Sequence, residues 1–353
     1  MRSIFQAIGL VPHGTSIEVE LIAEAAALLD LVTRQQYAQA SQYMAALHED
    51  VQQNFYGCWG EQVQAPAAAA RWHADAPDSD DALLLLAFAH LGEGWRLRGE
   101  DYLDAIPEAR RKAFPLCFER GHAAFKTLAA RDRSSAMALY GLIHCDVVCG
   151  IERGTRVARI EQAMAVAPFH TPTVFLAAKG SMAKWGGSDE QMWAYLRWIS
   201  ASAPRGHGAH VAVPAHVVEW MYPLMDDCDS LLAIVAQVRG LQLGGWMRQA
   251  LLDWLDTDGA GIPQALAARK GRAWRQQLSH FALALYLTGA WEEARPVMQA
   301  LGGKVPAQPW CGLSFRGTGS LVDRVLGEEQ RHAGVAHDRV CRDLGLNPAE
   351  VCR

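Results

Sequence analysis

The sequence contains almost none of the patterns that predict β-strands. No run of alternating β-branched residues stands between tight hairpin turns. Apolar residues instead recur at the three- and four-residue spacing of amphipathic helices along most of the chain. We therefore expect an all-α protein.

A long hydrophobic run is also missing. The longest uninterrupted apolar stretch, residues 82–89, is far shorter than the roughly 18 residues that a membrane helix needs. The N-terminus has one arginine, a short apolar run broken by Gln6 and Gly9, and no small-residue cleavage site, so it does not resemble an export signal. We expect a cytoplasmic protein with no membrane partner.

The cysteines lack the short paired spacings of a small disulfide-bonded scaffold. Several of the eight lie inside apolar helical stretches, and their positions are 58, 117, 145, 149, 228, 311, 341 and 352. Such residues are typical of reduced core thiols in a cytosolic protein.

An excess of positive charge is absent. The chain has 33 lysines and arginines against 38 acidic residues, a net charge of -5. A nucleic-acid-binding protein needs a concentrated basic face, which no segment supplies. We expect no nucleic-acid partner, and overall charge favours a basic protein partner.

Motifs that carry catalysis are missing too. The chain has no phosphate-binding glycine loop, no dinucleotide fingerprint after a strand, no nucleophile elbow and no H-E-x-x-H zinc motif. Catalytic groups that meet only in three dimensions would escape this search. The sequence favours a protein without catalytic activity or a cofactor.

The chain does have the length and apolar content for a large core. It contains 353 residues, of which 50% are hydrophobic. Three parts are expected: an N-terminal helical hairpin with an irregular connection (1–75), a central helical domain (76–225), and C-terminal helical hairpins with a tail (226–353). The spacing predicts helices at about 15–33, 35–49, 80–98, one or two within 107–128, then 134–149, 156–166, from 214 onward, 231–239, 246–255, 272–288, 291–301, 320–333 and 336–344.

The clearest stretch is residues 167–203, which predicts two helices and a sharp corner between them. The corner is the sequence W-G-G-S, Trp185–Ser188. Gly186 or Gly187 can take the left-handed conformation that ends a helix. Ser188 and the acidic residues after it are typical of the start of the next helix.

Residues 279–301 resemble a tetratricopeptide unit. Leu283, Tyr286 and Gly289 occupy the characteristic positions around the first helix, and Ala294 the small-residue position on the second. No 34-residue period recurs along the chain. The resemblance implies antiparallel helical hairpins in a degenerate tetratricopeptide-like α-solenoid.

A second resemblance covers roughly residues 80–220. A tryptophan-bearing helix ends in Trp95, Arg98 and Gly99, and the W-G-G-S corner follows downstream. These features resemble the bacterial family known as domain of unknown function 4034. The resemblance implies a helical architecture and carries no known reaction.

Three histidines lie close together in the sequence. His207, His210 and His216 are separated by a turn and the start of a helix, and neutral imidazoles bind zinc or copper well. Their spacing matches no closed zinc pattern, and glycines around them suit a loop. Solvent-exposed or helix-capping histidines are therefore the main interpretation, and a metal site is the alternative.

The twelve tryptophans are the strongest functional indication. Most fall where hairpins should pack, for example Trp193, Trp198, Trp254 and Trp274. Four lie in or beside predicted loops, some with arginine or lysine close by: Trp59, Trp72, Trp185 and Trp310. Aromatic residues beside basic ones are typical of protein-interface hot spots.

Together these patterns predict a non-catalytic module that binds a protein or peptide. An immunity or adaptor protein that neutralises a toxin made in the same cell fits the acidic charge and the absent export signal. A metal-dependent enzyme built on the three histidines is the competing hypothesis, and a homodimeric scaffold is the third. The residues expected to bind the partner are Trp95, Arg98, Trp185, Ser188, His207, His210 and Trp310.

Overall fold

The structure is a computed structural model of the chain. It describes residues 18–99, 106–132, 135–226, 241–269, 274–303, 307–310 and 328–351, together with residue 238. Every regular element in these ranges is a helix and none is a strand, which confirms the all-α class. The Thr15 end of the first predicted helix and nearly all of the predicted 231–239 helix lie outside the described residues.

The chain divides into two compact units. The N-terminal unit comprises Val19–Asp189. Its helices are α1 (Glu18–Thr33, which begins one residue earlier), α2 (Tyr37–Ala45), α3 (Glu49–Glu61), α4 (Ala65–Asp75), α5 (Asp80–Arg98), α6 (Glu108–Arg131), α7 (Ala136–Val148), α8 (Arg153–Val166), α9 (Thr171–Ser181) and a 3-10 helix (Ala183–Trp185).

The C-terminal unit comprises the described residues from Glu190 onward. Its helices are α10 (Asp189–Ser202), a 3-10 helix (Gly208–Val211), α11 (Ala212–Asp226), α12 (Gly244–Leu255), α13 (Ile262–Ala268), α14 (Trp274–Leu287), α15 (Trp291–Leu301), α16 (Ala307–Trp310), α17 (Glu328–Asp343) and α18 (Pro348–Val351).

Helix α5 lies at the centre of the N-terminal unit, where it packs against α3, α4, α6 and α7. Capping residues explain where α5 begins and ends. At its start, the Ser79 hydroxyl accepts a hydrogen bond from the Ala82 amide at 3.2 Å, and just past its last turn Gly99 takes φ of +61°. Helix α7 packs on α6, α8 and α9 and is buried on nearly all sides.

Two glycines set a very close contact between α3 and α5. A Cβ atom on Gly92 of α5 would lie 2.2 Å from the carbonyl carbon of Gly60 on α3, and one on Gly60 would lie 2.6 Å from the Phe88 carbonyl oxygen. Both distances are far inside van der Waals contact. The backbones of α3 and α5 therefore touch directly at this crossing, which only glycine permits.

The segment expected as an irregular connection forms α3 and α4 instead. Trp59 of α3 is fully buried and donates its Nε1 hydrogen to the Leu85 carbonyl at 2.9 Å, and Trp72 of α4 stacks on Tyr37 with ring centroids 5.0 Å apart. These two tryptophans belong to the core and not to loops. Pro66 stands in the first turn of α4, where a proline costs no helical hydrogen bond.

Helix α14 is the central helix of the C-terminal unit and packs against α11, α12, α15 and α16. With α15 it forms the hairpin that the sequence predicted at 279–301. Leu283, Tyr286 and Ala294 are fully buried, and Gly289 takes φ of +83° in the turn between the helices. The α14–α15 hairpin thus has the small and aromatic residues placed as expected.

Three other segments differ from expectation. Residues 108–131 form one helix, α6, with Pro115 inside it. Residues 307–310, expected as loop, form the short helix α16. The two weak helices predicted between residues 320 and 344 are, within the described residues, the single helix α17. No described helix has the length and apolar character to cross a membrane.

Candidate functional site

The predicted corner is present and its backbone is tightly fixed. Helix α9 ends at Ser181, the 3-10 helix follows, and Gly186 takes the left-handed conformation with φ of +85°. The Gly187 amide donates to the Met182 carbonyl and the Ser188 amide to the Ser181 carbonyl, each at 3.0 Å. A Cβ on Gly187 would lie 2.0 Å from the Ser181 oxygen, so this position also requires glycine.

Basic side chains surround the half-buried indole of Trp185. The Lys179 ammonium lies 4.8 Å from the ring centroid and the Lys184 ammonium 5.9 Å, both in the range of cation–π attraction. Arg156, from α8, donates through Nη1 to the Trp185 carbonyl at 3.1 Å. We call Arg156, Lys179, Lys184 and Trp185 the corner site.

Two hydrogen-bond donors of the corner site are buried without an acceptor. They are the indole Nε1 of Trp185 and the Nε of Arg156, neither of which bonds to any part of the chain that the structure describes. A buried donor left without a partner costs about 1–3 kcal/mol. The site is thus rich in positive charge and in unsatisfied donors.

The structure links Trp95 to the corner site through α7. The Trp95 indole donates to Nε2 of His144 at 3.3 Å, and Nδ1 of His144 lies 3.4 Å from the Tyr140 hydroxyl. Burial, and secondarily the Lys179 charge, lowers the pKa of His144 to about 3. His144 is therefore neutral, and the charge of Lys179, which lies over the Trp185 ring, acts on it electrostatically.

Arg98 and Ser188 each donate a hydrogen bond to a backbone carbonyl near a helix end. Arg98 is half-buried, and its Nη1 donates to the Gly99 carbonyl at 3.0 Å at the end of α5. Arg110 from α6 contacts the same helix end, donating to the Leu97 and Arg96 carbonyls at 2.8 Å each. The Ser188 amide closes the corner turn described above. Neither residue is among the four that form the corner site.

The three histidines lie just before α11 and in its first turns, and each contacts a backbone group. His207 accepts a hydrogen bond from the Ala209 amide through Nδ1 at 3.1 Å, which is a capping role. His210 is fully buried and its Nε2 faces the Pro204 carbonyl at 3.0 Å, while His216 contacts the Ala212 carbonyl through Nδ1 at 2.8 Å. Burial lowers the pKa of His210. Across the described ranges, no three His, Cys, Asp or Glu side chains group as metal ligands.

Trp310 is also a core residue, which corrects the expectation that it lies at a binding surface. It is fully buried and meets the His337 ring edge-on with centroids 5.9 Å apart. Trp310 lies on helix α16, which was not predicted from the sequence. This short helix packs against both α14 and α17. Proximity to a predicted loop therefore did not mean exposure.

A buried ionic cluster in the N-terminal unit was missed. Asp146 of α7 has no exposed surface, and one of its carboxylate oxygens pairs with Arg159 of α8 and lies 3.6 Å from Nε2 of His122. Burial raises the pKa of Asp146, and the bond with Arg159 opposes that rise. A single aspartate inside the largely apolar 134–149 stretch was the sequence feature that could have revealed this cluster.

Comparison with known proteins gives no relative: no family model, no curated protein and no solved structure matches this chain. The resemblances to domain of unknown function 4034 and to tetratricopeptide units stay predictions.

Proposed function

We propose that this protein is a non-catalytic binding module that holds a partner protein through the corner site. The observation that supports this proposal is the half-buried Trp185 flanked by Lys179, Lys184 and Arg156. Tryptophan and arginine are the residues most enriched at interface hot spots. Because hydrogen bonds and two required glycines fix the corner, little conformational entropy would be lost on binding.

We extend the proposal to class and architecture. The module is a cytoplasmic immunity or adaptor protein, and its hairpins belong to a degenerate tetratricopeptide-like α-solenoid related to domain of unknown function 4034. The α14–α15 hairpin supports the solenoid part, since its buried Tyr286 and Ala294 occupy tetratricopeptide positions. The corner sequence Trp185–Ser188 supports the family part.

The test uses the proteins encoded beside this gene, each co-expressed with the full chain and measured by calorimetry. We expect one of them to bind, and Trp185→Ala to weaken binding by at least about 30-fold, the loss of a hot spot worth about 2 kcal/mol. Trp198→Ala is the matched control, because Trp198 is 41% exposed and lies in the C-terminal unit.

Three results would contradict the proposal. The first is that every neighbouring protein fails to bind, and the second is that Trp198→Ala and Trp185→Ala weaken binding equally. The third is stoichiometric zinc or copper in the purified protein that disappears in His210→Ala, which would favour the metal-dependent enzyme. For the immunity class, expression of the chain should restore growth to cells that produce the bound neighbour.

A further inference from the structure

We propose that the C-terminal unit contains a binding cleft for an uncharged two-ring aromatic compound that carries a hydrogen-bond acceptor. The cleft lies between α13, the start of α14 and α15, and its volume is about 380 Å³. None of its lining residues belongs to the corner site. The proposal therefore goes beyond the proposed function and does not depend on it.

The size of the cleft suits a small ligand. Ligand pockets usually measure about 300–1,000 Å³, and an apolar cavity of about 150 Å³ can hold one benzene molecule. The cleft is at the lower end of that range and has space for roughly two fused rings. Pro263 and Ala267, which line it, are exposed, so the cleft opens to solvent and a ligand can enter without unfolding the unit.

The walls of the cleft are apolar and packing holds them in place. Helices α13 and α14 both pack against α15. Pro263 stands in the first turn of α13 and Pro296 lies inside α15, and both carry rigid rings without an N–H donor. A ligand can therefore bury apolar surface against walls that lose little conformational freedom. The apolar lining residues are Pro263, Leu266, Ala267, Trp274, Pro296 and Ala300.

The charged side chain among the lining residues is engaged elsewhere. Arg269 donates through Nη2 to the Gly206 carbonyl at 3.1 Å and to the Trp254 carbonyl, and its guanidinium lies 4.4 Å from the centroid of the Trp254 ring. No carboxylate is among the described residues that line the cleft. A charged ligand would lose hydration there without gaining an ion pair, which favours an uncharged one.

The indole N–H of Trp274 supplies a hydrogen bond for such a ligand. It donates to no acceptor in the part of the chain that the structure describes, and it is not one of the buried, unpartnered polar atoms of that part. Trp274 is half-buried, so its N–H stays accessible. Because an indole N–H can only donate, the ligand must bring an acceptor, such as the oxygen of an aromatic ketone.

The test titrates the 15N-labelled full chain with 2-acetylnaphthalene, an uncharged two-ring ketone. The Trp274 indole resonance is assigned by its loss in Trp274→Phe. We expect this resonance to shift saturably with a Kd of about 0.1–1 mM, the affinity usual for a ligand of this size. The charged isostere 2-naphthoate should bind at least about tenfold more weakly, because its carboxylate finds no free cation.

Ala267→Phe and Ala268→Phe are a matched pair of variants. Both alanines are exposed on α13, but Ala267 lines the cleft and Ala268 does not. The phenyl group of Ala267→Phe should fill part of the cleft and raise the ketone Kd at least about tenfold, whereas Ala268→Phe should leave it unchanged. Thermal melts verify that both variants fold.

Trp274→Phe keeps an apolar ring and removes the donor. Followed through the methyl resonance of the ketone, it should raise the Kd about two- to tenfold, the effect of one neutral hydrogen bond. The proposal is overturned if the ketone leaves the Trp274 resonance in place or if 2-naphthoate binds as tightly as the ketone. It is also overturned if Ala267→Phe binds like Ala268→Phe, or if Trp274→Phe leaves the ketone Kd unchanged.

Discussion

Replacing Gly92 by alanine should destabilise the N-terminal unit strongly. The added Cβ would meet three backbone atoms of Gly60 at 2.2, 2.3 and 2.4 Å. Carbon atoms in contact lie about 3.5–4.0 Å apart, so α3 and α5 would have to separate by roughly 1 Å or more. No side-chain rotation relieves the overlap, because the opposing atoms are backbone.

The expected loss of stability comes from overpacking and from a stretched hydrogen bond between the two helices. Overpacking costs about 1–3 kcal/mol, and stretching the bond from Trp59 Nε1 to the Leu85 carbonyl, which spans the same two helices, costs about 1–3 kcal/mol more. Alanine recovers about 1 kcal/mol of helix propensity. The expected net loss is about 1–5 kcal/mol, and each kcal/mol lowers Tm by roughly 2–4 °C.

Urea unfolding followed by circular dichroism measures this loss, and hydrogen exchange of the α3 and α5 amides locates it. Gly57→Ala is the matched control on α3, since a Cβ there meets nothing within 4 Å. That substitution should stabilise the protein by about 0.5–1 kcal/mol. A Gly92→Ala protein within about 0.5 kcal/mol of the original chain would show that the two backbones separate without cost, since ordinary surface substitutions have effects of that size.

Three further predictions concern other parts of the N-terminal unit. Burial lowers the pKa of His144 in the folded protein to about 3, from its ordinary 6.5. As pH falls below 6.5, the unfolded chain therefore binds a proton at this histidine before the folded chain does. The free energy of unfolding is unaffected by His144 above pH 6.5 and decreases as pH falls toward 3. Because its ring keeps some exposed surface, we expect a loss of about 1–2 kcal/mol between pH 7 and pH 5 in urea melts, and a smaller loss in His144→Gln; equal pH slopes would contradict this. Arg159→Ala should lower the free energy of unfolding by about 3 kcal/mol, because it leaves the buried Asp146 carboxylate without its guanidinium partner. In the same assay, the double variant Arg159→Ala/Asp146→Ala should recover part of that loss. Losses that simply add would contradict an interaction between the two residues. Ser79→Ala should cost about 1 kcal/mol in thermal melts because it removes the cap of α5, whereas an unchanged Tm would show that the Ala82 amide finds another acceptor.

Helices with clear end signals were predictable from the sequence. Residues 80–98 and 291–301 form helices with the expected bounds, because a capping serine, a terminal glycine or a turn glycine marks their ends. The same residue types misled the prediction for residues 50–80. Gly60 indicated a turn, yet it lies inside α3, where the close approach of the α5 backbone requires glycine. Pro66 likewise does not break a helix, because it stands in the first turn of α4.

The candidate site was predictable only in part. The W-G-G-S corner and its left-handed Gly186 follow from local sequence. Arg156 lies on α8, 29 positions before Trp185 in the chain. Local sequence patterns do not predict a hydrogen bond between residues so far apart. For Trp310 the prediction of a binding role was wrong, because tertiary packing buries this tryptophan although the sequence placed it in a loop.

The backbone contact between Gly60 and Gly92 also offers a way to recognise kin of this chain. A crossing this close tolerates no side chain on either helix, so any protein that keeps it must have glycine at both positions, 32 residues apart. A search for that spaced glycine pair together with the W-G-G-S turn would therefore find distant members by a steric rule when overall sequence similarity has faded.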